Sequence, residues 1–304
     1  MRIAVASGKG GTGKTTVSVA LALACAPLMP TQYVDCDVEE PNGHLSIKPL
    51  IQFSEEVSVP VPSVWSDLCN DCGVCGDVCQ YGAIAPLGGK AMVFEELCHG
   101  CGGCALLCPA GAISEINRRI GTVESGLADK LQFIQGRIDV GVAMSPPVIR
   151  DARALSDRLI AANQFSFGFI SGRAADTRFL QIIDSPPGTS CSMVTAVRGC
   201  DFVVMVTEPT PFGLHDMILA IETVREMGIR TGVVINKCDM GDSRTTAYCR
   251  ENDIPVLLEI PQSRHIAAVC SGGETLLKAV PAIRPKLIEM HEIIRTGGSR
   301  NGRK

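Results

Sequence analysis

The chain has 304 residues, 46% of them hydrophobic, with 28 basic against 32 acidic side chains and a formal net charge of −4. That balance suits one large or two ordinary soluble domains with a real core, and it offers no basic surplus for nucleic acid. Aromatics at 4% are too few for a single-strand stacking surface, and 15 cysteines in a chain of this size without a signal peptide point to metal ligation instead of a disulfide framework.

In chain order, Arg2–Ala6 reads as a short apolar strand that enters the glycine loop SGKGGTGKTT, residues 7 to 16, and a helix leaves the loop and runs to about Ala26. The apolar stretch Val17–Met29 inside that helix is broken by Pro27 and is too short to span a bilayer, so a cytoplasmic protein with no membrane span is expected. TQYVDCD reads as a second strand ending on Asp35 and Asp37. Residues 60–115 then change character: they carry eight cysteines, many glycines and little apolar periodicity, as a separate small unit would. Strand-like runs return at residues 179–184, 201–208, 231–237 and 254–261, spaced by segments of helix length, which predicts βαβ units and a mostly parallel sheet covered on both faces. The expected organisation is therefore one α/β domain, residues 1–59 and 116–304, interrupted by an insert at 60–115. The polar, glycine-rich end TGGSRNGRK is expected to fray.

Within the insert, Cys69, Cys72, Cys75 and Cys79 follow C-x2-C-x2-C-x3-C, and Cys98, Cys101, Cys104 and Cys108 repeat it, closing with Pro109. Two-residue gaps place three thiolates around one cubane, while the fourth cysteine, on the next turn, points to the other cluster. The partition is thus crossed: Cys69, Cys72, Cys75 and Cys108 for one [4Fe-4S] cluster, and Cys98, Cys101, Cys104 and Cys79 for the second. Zinc is the alternative, but zinc sites join two cysteine pairs across a longer gap and have no use for a doubled four-cysteine run. The stretch resembles the bacterial two-cluster ferredoxins throughout its length, departing from them at Gln80, where their pattern has proline. With one Trp, one Tyr and one Phe it has little to build a core from, so metal binding is expected to supply most of its folding free energy.

Gly8–Thr15 satisfies G-x-x-x-x-G-K-[ST] between a strand and a helix. Gly8, Gly10, Gly11, Thr12 and Gly13 would turn backbone N–H groups onto phosphate at a helix N-terminus. Lys14 would reach the β- and γ-phosphates, Thr15 would ligate Mg2+, and Thr16 would meet the α-phosphate. The second lysine, Lys9, makes the loop resemble the deviant Walker A of the MinD/ParA/nitrogenase-iron-protein superfamily of ATPases. That resemblance implies a P-loop NTPase fold, ATP as ligand, and a Lys9 that acts in trans across a face-to-face dimer, so that hydrolysis awaits a dimer or a partner. It also implies that Asp37 orients the attacking water, that Asp184 holds the Mg2+ hydration shell, and that Gly188 lets the following loop meet the γ-phosphate.

Asn236, Lys237 and Asp239 fit the N-K-x-D of GTPases, but those proteins lack a lysine equivalent to Lys9 and would need glycine where this chain has Pro187. In the ATPases the same asparagine contacts adenine, which makes Asn236 the base-binding candidate, with Pro261 and, less well matched, Gln262 on the other side of the base. Cys191 matches the spacing at which the nitrogenase iron protein holds an intersubunit cluster, although no second such cysteine is evident; a plain thiol is the simpler reading. His215 and His99 read as a surface or packing histidine and a loop residue near a cluster.

As a whole the chain resembles MinD-type ATPases with an inserted ferredoxin domain. The expected function is an ATPase, a homodimer or paralogous heterodimer on ATP binding, that gates electron transfer from two [4Fe-4S] clusters to a redox partner protein. The segment VEEPNGHLS after Asp37 would be the hinge. Two alternatives are an iron-sulfur carrier or assembly ATPase that serves an acceptor protein, and a MinD-like positioning ATPase. The helix PKLIEMHEIIR, with its mixed charge, reads as core packing, not as a membrane anchor.

Overall fold

Runs such as Ile3–Ala6 and Leu180–Asp184 are buried at every position, which only a sheet covered on both faces accommodates. The computed structural model, which describes residues 1–162 and 179–297, shows such a sheet. The frayed end expected over 296–304 lies, from residue 298 on, outside the described residues. The first elements are β1 (Arg2–Ala6), α1 (Lys14–Cys25), β2 (Thr31–Asp35), α2 (Gly43–Ile47), β3 (Leu50–Val64), α3 (Val74–Val78), β4 (Ile84–Leu87), β5 (Lys90–Val93), α4 (Gly103–Leu106), β6 (Ile113–Ala128) and β7 (Leu131–Ile138). They continue with α5 (Pro146–Ala161), β8 (Leu180–Asp184), α6 (Cys191–Val197), β9 (Phe202–Thr207), α7 (Pro211–Glu226), β10 (Arg230–Asn236), α8 (Arg244–Glu251), β11 (Val256–Ile260), α9 (Arg264–Ser271), α10 (Leu276–Ala279) and α11 (Arg284–Thr296).

The nine-stranded sheet has the order β11-β10-β9-β1-β8-β2-β7-β6-β3, and every pair from β11 through to β7 is parallel. Strand β2 ends at Asp35, so Asp37 sits in the loop beyond it and not on the strand. Strands β3, β6 and β7 flank the cysteine-rich segment and were not evident from periodicity, because β3 and β6 mix exposed and buried positions without strict alternation.

Two compact units divide the chain: Met1–Ser54, Val123–Arg137 and Ile149–Lys304 make the first, Glu55–Thr122 and Ile138–Val148 the second. In the first, apolar side chains of α1, α10 and α11, among them Leu21, Leu276, Leu287 and Met290, pack against Ile3, Tyr33 and Ile182 of the sheet. The sheet also carries a buried polar row, which α5 completes. Gln32 on β2 donates to Gln132 of β7 at 2.6 Å, Ser156 of α5 donates to Gln32 at 2.6 Å, and Gln181 of β8 donates to Ser156 at 2.5 Å. In the second unit β4 and β5 pair antiparallel about Gly88 and Gly89, whose φ of 64° and 84° suit a tight hairpin turn. No helix among the described residues is long and apolar enough to cross a membrane.

Candidate functional site

Strands β1, β8 and β2 end level with one another, since Val5 and Asp35 both pair in register with Asp184. The chain leaves β1 on the side of β8, whereas β9 lies on the other side, so their carboxyl ends form the kind of switch point at which open α/β sheets bind ligands. A cleft of about 710 Å³ opens there. It is lined by Gly10, Gly11, Gly13, Lys14, Thr15 and Thr16 on one side and Asp37, Pro186, Pro187 and Ser190 on the other. Gly13 caps α1 with φ 92°, and the Asn236 amide lies 2.5 Å from where a Cβ would stand, so glycine is required twice over at this position. The α1 N-terminus has no side-chain cap and no acidic residue in its first turn, which leaves its N–H groups for an anion. The Thr12 hydroxyl is buried in the same loop without a partner.

Lys14 is buried and donates to Asp184 Oδ1 at 2.9 Å and to Asp37 Oδ2 at 3.2 Å. Burial by itself would lower its pKa, but the two carboxylates outweigh burial and hold the ammonium well above the usual lysine value. The acids show the opposite balance. Asp35, fully buried, is pushed up by desolvation and by the neighbouring Asp184 charge, although Lys14 and the Gly43 N–H oppose the shift. Asp37 is also raised, chiefly by burial. Three carboxyl groups therefore act on one lysine, and of the hard oxygen donors that a divalent cation takes, the Asp37 carboxylate and the Thr15 hydroxyl line the cleft itself.

The other residues expected at the site are distributed around this cleft. Lys9 approaches Glu208 at 3.9 Å, and its carbonyl accepts from the Ser7 hydroxyl at 2.8 Å. Gly8 packs against the Asp216 backbone of α7. Gly188, at φ 87°, gives its N–H to Ser7 O at 2.8 Å. Asn236 donates to Thr12 O at 2.8 Å and accepts from Lys237 N at 3.0 Å, so its amide braces the loop from behind. Pro261 is exposed just beyond β11, where Cys238 N bonds Ile260 O and Asp239 accepts from Gln262 N, joining the two expected base-side loops. Sequence reasoning missed two residues here. Tyr33 donates to Asp184 Oδ2 at 2.9 Å, and Glu208 accepts from Lys237 at 2.6 Å while facing Lys9. A tyrosine inside an apolar strand is the one signal that could have found Tyr33, since its hydroxyl needs a partner when buried.

In the second unit the two cysteine runs repeat one local geometry. Gly73 and Gly102, at φ 80° and 72°, start the short helices α3 and α4, so each run wraps back on itself. Cys79 Sγ accepts from Ala83 N and Cys108 Sγ from Ala112 N, both at 3.3 Å and both four residues on. Cys69, Cys72, Cys75 and Cys108 line one cavity, and Cys79, Cys98, Cys101 and Cys104 line another. Among the described residues no three His, Cys, Asp or Glu side chains converge on a single-ion position. Burial pushes the Cys75 and Cys104 thiols up; at Cys79 burial acts the same way, but the surrounding backbone N–H groups outweigh it and hold the thiol down. Thiols that bound a cavity and accept N–H bonds at sulfur suit a multi-iron cluster. His99 stacks on Tyr81, ring centroids 3.8 Å apart, at the wall of the second cavity. His215 is exposed on α7 and Cys191 is exposed at the start of α6; neither meets the cleft lining.

Comparison with known proteins agrees with this fold. The family model described as the CobQ/CobB/MinD/ParA nucleotide binding domain matches residues 3–276. An uncharacterized protein of Methanocaldococcus jannaschii is 31% identical over 292 residues, 95% of this chain and 97% of its own length. A second from the same organism is 28% identical over 279 residues, covering 91% and 92%. The cytosolic Fe-S cluster assembly factor NBP35 of Eremothecium gossypii is 29% identical over 132 residues, 37% of this chain and 40% of that protein. Among solved structures, the septum site-determining protein MinD of Pyrococcus horikoshii, complexed with Mg-ADP, superposes with a TM-score of 0.53 at 18% identity, covering 98% and 97% of the two chains. At that identity the likeness speaks for the fold alone.

Proposed function

The chain belongs to the CobQ/CobB/MinD/ParA nucleotide-binding family, and from that premise we propose that it is a cytoplasmic, dimeric ATPase whose nucleotide state controls electron transfer from two [4Fe-4S] clusters to a partner protein. The observation that carries the reading is the division of eight cysteines, four and four, around two cavities in one chain with a phosphate loop. Residues 60–115 are read as a ferredoxin-like domain inserted into the ATPase domain of 1–59 and 116–304. Zinc–sulfur bonds of about 2.3 Å would draw four thiols to a point, whereas these thiols surround a space.

In this reading the α1 N-terminus and Lys14 bind the phosphates, with Gly8, Gly10, Gly11, Thr12, Gly13, Thr16 and Gly188 shaping their cradle. Thr15 would ligate Mg2+ and Asp184 would hold its hydration shell; the cation, when bound, neutralises phosphate charge. Asp37 orients the attacking water, Lys9 reaches the nucleotide of a second copy or a paralogue, and Asn236 and Pro261 flank the base. The clusters, when bound, supply one-electron chemistry. Moving a two-state dimer from about 1:99 to 99:1 requires about 5.5 kcal/mol of differential ATP affinity, which phosphate contacts and a cation in trans are able to provide. The segment Val38–Ser46, which follows Asp37 in the first unit, is the hinge in this reading.

The likeness to a cytosolic Fe-S cluster assembly factor favours a second reading, that of a cluster carrier or assembly ATPase. One experiment separates the two: anaerobic purification with iron counting, then redox titration with and without ATP in the presence of an apo-acceptor. A potential that moves with nucleotide, with iron retained, supports gated electron transfer. Iron lost to the acceptor supports the carrier. Neither binding of ATP nor iron would dismiss both.

A further inference from the structure

Asp184 is entirely buried at the end of β8, and its carboxylate has two donors: Lys14 on Oδ1 and the Tyr33 hydroxyl on Oδ2. The two donors differ in how firmly they are held. Lys14 stands in the phosphate loop, on a flexible stem, and turns to phosphate when a nucleotide enters. Tyr33 cannot follow it. Its ring is sealed in the sheet, in register with Ile182 of β8 and stacked on Phe133 of β7 with centroids 5.8 Å apart and planes within 16°. Once Lys14 leaves, Tyr33 is what determines the rotation of the Asp184 carboxylate.

The hydroxyl is also wedged against α2. A Cβ on Gly43 would stand 2.4 Å from Tyr33 Oη, and the Gly43 N–H donates to Asp35 Oδ2 at 3.0 Å. The first residue of α2 is therefore clamped between two side chains of one strand, and any larger residue there would drive the tyrosine off Asp184.

We propose that Tyr33 is a positioning residue for the divalent cation that accompanies the nucleotide: its hydroxyl keeps Asp184 Oδ1 turned to the cleft, and the bare Gly43 backbone leaves room for that arrangement. The inference rests on the nucleotide reading of the cleft and adds to it a residue that touches neither phosphate nor metal. Once Lys14 has turned from Oδ1 to phosphate, a fully buried carboxylate left with one neutral donor calls for a cation. Hydrogen-bonded partners of this kind hold metal ligands in place, and their loss lowers metal affinity about 10- to 100-fold.

The test is equilibrium binding of a fluorescent ATP analogue to the full chain, titrated with Mg2+ and repeated in EDTA, for wild type, Tyr33→Phe and Gly43→Ala. Tyr33→Phe keeps the ring and its packing, so its melting temperature should stay near that of wild type. The expected result is an unchanged affinity in EDTA and a Mg2+ half-saturation raised about 10- to 100-fold. Gly43→Ala should reproduce that shift, and the double variant should add nothing. A Tyr33→Phe variant with the wild-type Mg2+ requirement overturns the inference, as does an equal loss with and without Mg2+, which would make Tyr33 merely structural. Wild-type protein that binds the analogue with no Mg2+ dependence also overturns the inference, whereas wild-type protein that does not bind it at all overturns the nucleotide reading itself.

Discussion

Lys9 Nζ lies 3.9 Å from Glu208 Oε2, while Lys237 Nζ holds the other oxygen of that carboxylate at 2.6 Å. Two lysines thus share one acid at the carboxyl end of β9. A partly exposed pair at the longer distance is worth no more than about 1 kcal/mol, so Glu208 retains Lys9 only loosely.

Lys9→Ala should leave ATP binding intact, abolish ATP-dependent dimerisation and slow hydrolysis by about 10³-fold or more, the range for a cation supplied in trans. Glu208→Gln should do the reverse and shift dimerisation to lower ATP. Analytical ultracentrifugation across an ATP series reads both; a Lys9→Ala protein that still dimerises with ATP removes Lys9 from the interface.

Lys14 is the sole cation bonded to Asp37 and Asp184 among the described residues, and Asp35 adds a third buried acid nearby. Lys14→Met should therefore do more than abolish nucleotide binding. Leaving buried carboxylates without their counter-ion costs about 3–5 kcal/mol, visible in urea unfolding, and adding Asp184→Asn should recover part of the loss. Equal stability of Lys14→Met and wild type would show that the acids take up protons and relax.

The crossed cysteine sets make an unusual arithmetic testable. Cys72→Ala and Cys108→Ala come from different runs but line one cavity, so each should lose about half of the iron, and the pair should lose no more than that. Cys72→Ala with Cys79→Ala, two residues of one run, should lose nearly all. Iron and sulfide analysis decides; an additive loss in the first pair would uncross the ligands.

Trp65, the single tryptophan, lies in the second unit, where it donates from its indole to Ser114 at 3.0 Å. The core beside the cysteines has only Cys75, Ile84 and Ile113 fully in its interior. On the reading that metal supplies most of the folding free energy of this unit, removing iron with a chelator should unfold it and change the emission of Trp65, exposed but held to Ser114, while nucleotide binding persists. Unchanged emission after complete iron loss would contradict that.

His291 on α11 is buried among apolar neighbours, and burial lowers its pKa against the pull of Glu292. The unfolded chain binds that proton more tightly, so the stability contributed by the neutral ring is present above about pH 6.5 and is lost as pH falls through the lowered folded value. The melting temperature of wild type should drop between pH 7.5 and pH 5.5 more steeply than that of His291→Phe. Parallel curves would rule the histidine out.

What could be read from the amino-acid sequence was what lies close together along it. The phosphate loop from Gly8 to Thr15, the two C-x2-C-x2-C-x3-C runs and the acid ending β8 are local patterns whose chemistry depends on spacing of a few residues, and so are the apolar runs of β1, β8, β9 and β10. Strands β3 and β6 were not legible, because strands with many exposed positions leave no regular apolar period.

The sequence alone determined which groups are available: a lysine in a glycine loop, acids at strand ends and eight thiols in two repeated runs. Only the tertiary structure decided which of them meet. Tyr33 and Asp184 are separated by 151 residues, as Asn236 and Thr12 are by 224, and it is the register of parallel strands that brings them within hydrogen-bond reach. Register depends on how whole faces bury against helices, a sum over many weak contacts that no short stretch of sequence contains.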